Sequence, residues 1–182
     1  DLMRRVSRVC FSQPAASTAK QIVIVVARKD LWRKRATQNI DFFNLRKDRL
    51  TKKQYDLTQK YYKKAVPFIY NDFIGFFSYL KYLLANFLGI FRVMYRQLRN
   101  SDTRIVAHKS AALASQNFMI SMAAQGYDTC PMEGFDSLRL KNLLGLHKKS
   151  EINMVIVCGI RLQEGVYGDR FRIPFDQVYT KK

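Results

Sequence analysis

Two runs of aliphatic, β-branched residues, IVIVVA at 22–27 and NMVIVCGIR at 153–161, stand near opposite ends of a helix-patterned sequence, and that order most restricts the fold. Neither run alternates with polar residues as a half-solvated strand does, so each reads as a strand buried on both faces. Between them, Asp30 to Lys64 is polar and basic, with apolar residues spaced as on surface helices until Pro67 breaks the pattern. VAHKSAALASQNFMISMAAQ at 106–125 carries six alanines in twenty residues, which lets a partner helix approach closely, and Gly126 follows where a left-handed cap stops a helix. Asp136 precedes SLRLKNLLGL as an N-cap would. Strand, helices, strand predicts an α+β domain with helices packed on a mixed sheet.

With 182 residues and a hydrophobic fraction of 48%, the chain can bury one ordinary core, and 1–182 reads as a single domain. Lys and Arg number 32 against 14 Asp and Glu, a net charge of +18 that attracts nucleic acid, anionic lipid or a phosphorylated ligand. That charge is spread over many helices rather than gathered in a recognisable module, so nucleic-acid binding ranks last and no such partner is expected. Cys10, Cys130 and Cys158 are odd in number and far apart, which argues against a disulfide framework and suits a reducing, cytoplasmic location. His108 and His147 lack the spacing of a zinc site, and His108 and Lys109 read as surface residues; no metal is expected. The basic start, DLMRRVSRVCFSQP, has no apolar secretory segment and looks internal to a longer chain.

The segment 73–91, FIGFFSYLKYLLANFLGIF, holds seven aromatics and a single charge, Lys81. Its length could span a bilayer, but Gly75, Lys81, Asn86 and Gly89 interrupt it. It reads as one helix or two short ones, buried in a core or a subunit interface, within a helical, aromatic-rich excursion over about 66–95; contact with a membrane surface is the lesser alternative.

Phosphate-loop, dinucleotide-binding and nucleophile-elbow motifs are absent, and Cys130 has no evident histidine and acid to activate it. What remains is the loop YDTCPMEGFD at 127–136 and the C-terminal tail GVYGDRFRIPFDQVYTKK, extended and in need of a surface to lie against. Gly134, beside Glu133, lets the backbone approach a flat ligand, while Arg170 and Arg172, two apart on an extended tail, point their guanidinium groups to one side. Together they would hold a planar, phosphorylated molecule.

AHKSAALASQNFMISMAAQGYDTCPMEGFDS, followed by MVIVCGIR and GVYGDRFRIPF, resembles the C-terminal half of the FMN-dependent nitroreductase family over residues 104–178, and QPAASTAKQIVIVVARKDLW more loosely resembles the family's middle strand. The resemblance implies an α+β homodimer with FMN in the subunit interface and a C-terminal arm from each protomer wrapped around the other. It implies hydride transfer from NADH or NADPH to the flavin and then, by a ping-pong route, reduction of nitroaromatics, quinones or similar small-molecule acceptors, with no catalytic side chain of the protein's own. Carried over by position, Glu133 and Gly134 would face the flavin ring, Pro131 and Met132 would shape the same wall, and Arg170 and Arg172 would lie at the phosphate or the pyrimidine edge. The excursion at 66–95 falls near the substrate mouth, where its apolar face would cover the site or the dimer seam and select the acceptor. The family's arginine- and serine-containing phosphate-binding stretch, well ahead of the strand, has no counterpart here; Arg4, Arg5, Ser7 and Arg8 sit too close to the strand to supply it. Ser12 and Ala15 fall where the family carries a flavin-facing Asn and Lys. The alternative implied is a truncated flavoprotein fold acting as a non-catalytic binding or scaffold protein.

Overall fold

The computed structural model describes residues 1–72, 75–166 and 168–182; Phe73 and Ile74, which open the aromatic segment, and Tyr167 of the tail lie outside the described residues. In chain order the elements are α1 (Leu2–Val9), α2 (Pro14–Thr18), β1 (Gln21–Ala27), α3 (Trp32–Asn44), α4 (Lys52–Lys60), α5 (Val66–Tyr70), α6 (Phe76–Leu88), α7 (Asn100–Ala124), β2 (Asp128–Met132), α8 (Ser137–Leu143), β3 (Glu151–Gly159) and α9 (Phe175–Val178).

The α+β class holds, with β3 at the centre of a sheet ordered β1-β3-β2. Both ladders are antiparallel, so the mixed sheet expected from the sequence is an antiparallel one among the described residues: β1 and β2 run the same way but never touch, because β3 lies between them. As an edge strand, β1 is only partly buried along Ile22–Val26, whereas Val155, Ile156, Val157 and Cys158 of β3 are nearly inaccessible. Full burial on both faces thus belongs to β3 and not to β1, because only the middle strand has neighbours on both sides.

Residues 128–132 read as loop in the sequence and form a strand instead. DTCPM has no apolar run to announce it, but its ladder to Val155–Gly159 supplies the backbone partners, and Pro131 is tolerated because an edge strand need not donate from every N–H.

The register between β1 and β3 slips by one residue: Val25 faces Met154 and Val26 faces Ile152, leaving Asn153 as the extra residue of a bulge. This shifts the alternation of β3, and Ile152 joins Val155 and Val157 on one face. That face packs with Met132 of β2 against Val6 and Cys10 of α1, Ala16 of α2 and Leu140 of α8. The long helix α7 crosses the opposite face and touches all three strands.

Local signals account for the ends of α7 and α8. The Gly126 N–H bonds the Ala123 carbonyl and the Tyr127 N–H bonds the Met122 carbonyl, both at 3.0 Å, and Gly126 takes the positive φ of 81° that this C-terminal motif requires. Asp136 caps α8 by accepting from the Arg139 N–H at 3.0 Å. Asn100–Asp102, expected as a turn, is the first turn of α7, where the Asp102 carboxylate accepts from the backbone N–H of Arg99. Pro67 does not end the preceding helical path: a π-helical turn at Tyr61–Ala65 resets the ladder, and Pro67 enters the first turn of α5, where its missing N–H costs no helical bond.

α6 is a single helix, and of the two settings expected for it, a core or a subunit interface, the first does not hold within this chain. Its buried residues are Ser78 and Ala85, while Phe76, Leu80, Leu84 and Phe87 are each more than half exposed. The apolar face of α6 is therefore not buried in this chain's own core. No helix among the described residues is long and apolar enough to cross a membrane.

Candidate functional site

Pro131–Gly134 joins the end of β2 to the cap of α8, and the sheet fixes one end of it. Met132 is buried in the core beside Val155 and Leu140, which turns its flanking residues Pro131 and Glu133 outward. Past Glu133 the chain bends tightly, the Phe135 N–H bonding the Glu133 carbonyl at 3.1 Å.

Two bonds tether this turn to the N-terminal helices. The Asp136 N–H donates to the Val9 carbonyl at the end of α1 at 2.8 Å. The side-chain amide of Gln13 donates to the Gly134 carbonyl at 2.7 Å and to the Cys10 carbonyl at 3.0 Å. The side-chain-free backbone of Gly134 permits this approach: a Cβ there would stand 3.1 Å from Gln13 Nε2. With its carbonyl held inward, Gly134 has no acceptor for its own N–H among the described residues, and the residue is exposed.

Gln13 and Phe11 were not singled out from the sequence as members of this site, whereas Ser12 was, by its position in the resemblance. Phe11 and Ser12 take left-handed backbone conformations, φ 57° and 51°, rare for residues with a Cβ, and they form the turn that brings Gln13 under the loop. The available signal was Gln-Pro: Pro14 opens α2, so the residue before it ends a turn rather than a helix. Ser12 is exposed beside this loop, whereas Ala15 packs against the core and has no polar group to offer.

Arg170 and Arg172 are not brought to the loop. Both are exposed on the C-terminal tail, Arg172 Nη1 bonding only the adjacent Phe171 carbonyl at 2.9 Å, and no described hydrogen bond or ion pair links either to 131–134. The tail is extended apart from the short α9, and Phe171, Phe175 and Val178 are 63–79% exposed.

The donor set suits a flavin in part. An exposed residue whose amide has no acceptor among the described residues, beside a flat, side-chain-free surface, matches the carbonyl and ring-nitrogen acceptors of an isoalloxazine, and two exposed guanidinium groups match a phosphate. Gly134 would hold the ring and Arg170 and Arg172 the charged end, once the tail is carried to the loop.

The other polar cluster lies elsewhere. His108 of α7 is not the surface residue expected: its side chain is 22% exposed, with Nε2 3.0 Å from Glu151 Oε2 and Nδ1 3.2 Å from Asn153 Nδ2. The bulge at Asn153 aims that amide at the ring, a long-range event invisible in the sequence around His108. Arg104 also pairs with Glu151. Burial alone would raise the carboxyl's pKa, but hydrogen bonds from His108 and Arg104 outweigh it and hold the group below its ordinary range. Of the thiols, Cys10 and Cys158 are pushed up by burial, while Cys130 is exposed.

The family model described as the nitroreductase family matches residues 2–160. Among curated proteins, the chain is 34% identical over 71 residues to MhqN of Bacillus subtilis (strain 168), named as an NAD(P)H nitroreductase, and 36% identical over 58 residues to DrgA of Synechocystis sp. (strain ATCC 27184 / PCC 6803 / Kazusa). These alignments cover 39% and 32% of this chain but only 34% and 28% of the relatives, so the matched segment spans about a third of their length. In three dimensions the whole chain superposes on 73% of ydfN from Bacillus subtilis, described as a nitroreductase, with a TM-score of 0.70 at 21% identity. A protein of Exiguobacterium sibiricum 255-15, described as a nitroreductase and crystallised with FMN, gives a TM-score of 0.65 at 16% identity over 99% of this chain and 71% of its own. The three-dimensional likeness, at these identities, concerns the fold; the family match over most of the chain shows that it belongs to the nitroreductase family.

Proposed function

We propose that the chain provides the flavin-facing half of an FMN-dependent NAD(P)H oxidoreductase that reduces nitroaromatics, quinones or similar small acceptors by alternate, ping-pong transfer. The observation that carries this reading is the Gly134 amide, on an exposed residue, without an acceptor among the described residues, and held in place by the Gln13 bond to the Gly134 carbonyl. Bound FMN would supply the hydride and electron chemistry. The chain's part is to bind and orient. The Gly134 N–H donates toward the flavin acceptors where negative charge accumulates on reduction, Pro131 forms the wall behind it, Met132, expected from the resemblance to share that wall, instead anchors the loop from within the core, Glu133 lies at the ring edge, and Arg170 and Arg172 neutralise the phosphate or the pyrimidine edge. Because the loop is tethered before any ligand arrives, the donor needs little reorganisation.

The same reading takes residues 1–182 as one domain, with 66–95 as a helical excursion, in a cytoplasmic homodimer. Two exposed apolar surfaces support the dimer: the outer face of α7, where Leu113 and Ile120 are 73% and 58% exposed, and the tail, which as an exchanged arm would bring Arg170 and Arg172 to a site on the other protomer. The test is a visible spectrum of the purified chain before and after adding FMN and removing the excess by gel filtration. Retained flavin that bleaches with NADH or NADPH is the expected outcome. A folded dimer that stays colourless would refute it and favour a non-catalytic scaffold.

A further inference from the structure

Residues 46–64 carry eight Lys and Arg against two Asp, a net +6 and a third of the chain's +18, so the charge that the sequence spreads over many helices has one concentrated stretch. All of these charged residues are exposed, and none has an ion-pair partner among the described residues. Local structure sets them in order. Thr51 and Gln54 close a capping box that starts α4, and the π-helical turn at Tyr61–Ala65 carries the same helical path on into α5. On the inner side Tyr55 and Gln59 donate to Asn44 Oδ1 of α3 at 2.9 and 3.0 Å, which fixes the rotation of α4 about its axis. At 3.6 residues per turn Lys52, Lys53, Lys60, Lys63 and Lys64 then fall within an arc of about 120°, a ridge about 18 Å long in which Asp56 is the one anion. Lysines three and four apart on one helix face repel each other, and a ridge of them without counter-charges is relieved by an anion laid along it.

An aromatic ring stands at the edge of this ridge. Tyr61 is 52% exposed, and two open hollows meet beside it, one reaching Lys52 and Lys53, the other lined by Tyr61 and Lys64, with Leu57 and Lys60 common to both. Tyr62 braces the Tyr61 ring, with centroids 5.0 Å apart and 82° between the planes. Arg46 and Lys47 lie over Phe42 and Tyr55, whereas no cation covers Tyr61 among the described residues. Charge and ring together select the occupant. A second copy docked isologously would set lysine against lysine, which opposes association. A lipid surface needs apolar side chains to insert, and the large exposed ones of 46–64 are Leu57 and Tyr61, two against eight cations. A single strand of nucleic acid supplies what both features lack: a row of phosphates, one per about 3.4 Å so that about five span the ridge, and unpaired base faces for the tyrosine. We propose that the α4 ridge binds the phosphate backbone of single-stranded nucleic acid with a base stacked on Tyr61, against the expectation from the sequence that no such partner is bound. The inference uses no residue of the Pro131–Gly134 loop and stands apart from the flavin assignment.

The test is fluorescence anisotropy of a labelled oligothymidylate of about ten nucleotides, titrated with the full chain at several salt concentrations. Wild type should bind, the logarithm of its association constant falling against the logarithm of salt with a slope of about −3.5 for five cations. The combined variant Lys53→Gln, Lys60→Gln, Lys64→Gln changes exposed side chains only, so the fold should persist, checked by circular dichroism, while the slope becomes shallower by about 2. Asp56→Asn removes the ridge's one anion and should tighten binding a few-fold. Tyr61→Ser should weaken binding of the oligothymidylate about fivefold or more and leave binding of an abasic strand of the same length unchanged. A wild type that ignores the oligonucleotide, a triple variant with the wild-type slope, or equal binding of polyglutamate would overturn the proposal. So would displacement of the strand by FMN, which would place it at the Gly134 loop, or tighter binding to phosphatidylserine vesicles than to the strand, which would give the ridge to a membrane.

Discussion

The Gln13–Gly134 tether can be isolated by a double-mutant cycle. In Gly134→Ala the backbone itself raises no objection, because Gly134 does not occupy the left-handed region, but the new Cβ would stand 3.1 Å from Gln13 Nε2. The amide is the free end of a flexible side chain, so it rotates off the new methyl and gives up its 2.7 Å bond to the Gly134 carbonyl. Losing that bond costs about 1 kcal/mol, and replacing Gly by Ala returns about 0.4–1 kcal/mol by restricting the unfolded chain, so the single substitution is nearly neutral. Gln13→Ala alone forfeits the bonds to both Cys10 and Gly134 and should cost about 1–2 kcal/mol. In the Gln13→Ala background Gly134→Ala meets no amide and has no bond left to break, so it should stabilise by about 0.4–1 kcal/mol. The cycle therefore predicts a coupling of about 1 kcal/mol, read from urea unfolding of the four proteins. A Gly134→Ala effect that is the same in both backgrounds, within about 0.3 kcal/mol, would show that the tether contributes nothing.

Three other perturbations have definite expectations. Glu151→Gln should cost about 1 kcal/mol at neutral pH, a small figure because Arg104 and Glu151 are 56% and 35% exposed. Since this carboxyl's folded-state pKa is depressed, its contribution is present above the ordinary carboxylate range and lost as the pH falls through the folded value; the difference in urea midpoint between wild type and variant should vanish in acid, and a pH-independent difference would count against the ion pair. Gly126→Ala has nothing within 4 Å to strike, so its expected loss of about 1 kcal/mol would come from the 81° φ alone, and an unchanged melting temperature would contradict the capping role. Cys130 should be the single thiol that reacts quickly with a disulfide reagent in the native chain, with Cys10 and Cys158 reacting only in denaturant; fast native reaction of two or three would mean that the core around α1 and β3 opens readily.

The features legible in the sequence are those with local causes. The continuous apolar run Met154–Cys158 of β3, the glycine that ends α7 and the aspartate that caps α8 each act within a few positions of themselves. The features that escaped depend on a distant partner. β2 is a strand because β3 supplies its ladder, His108 is half-buried because a bulge 45 residues away aims Asn153 at it, and β1 is an edge because its outer side has no described neighbour. Periodicity announces the apolar face of α6 but carries no information about whether that face turns inward, since a moment has a direction around the helix axis and none relative to the rest of the chain.

The candidate site divides along the same line. Pro131–Gly134 is fixed by the sheet, by the Val9 carbonyl and by Gln13, all within this chain, and so its geometry exists before anything binds. Arg170 and Arg172 ride on a tail whose Phe171 and Phe175 are 79% and 70% exposed, and a segment with that much uncovered apolar surface gains order only by lying on another surface. Backbone donation to a flavin ring is thus a property of one folded chain, whereas neutralising its charged end requires the tail's ordering entropy to be offset first. On this reading Gly134 substitutions act on the ring whatever the state of assembly, while the two arginines contribute to affinity only where something holds the arm down.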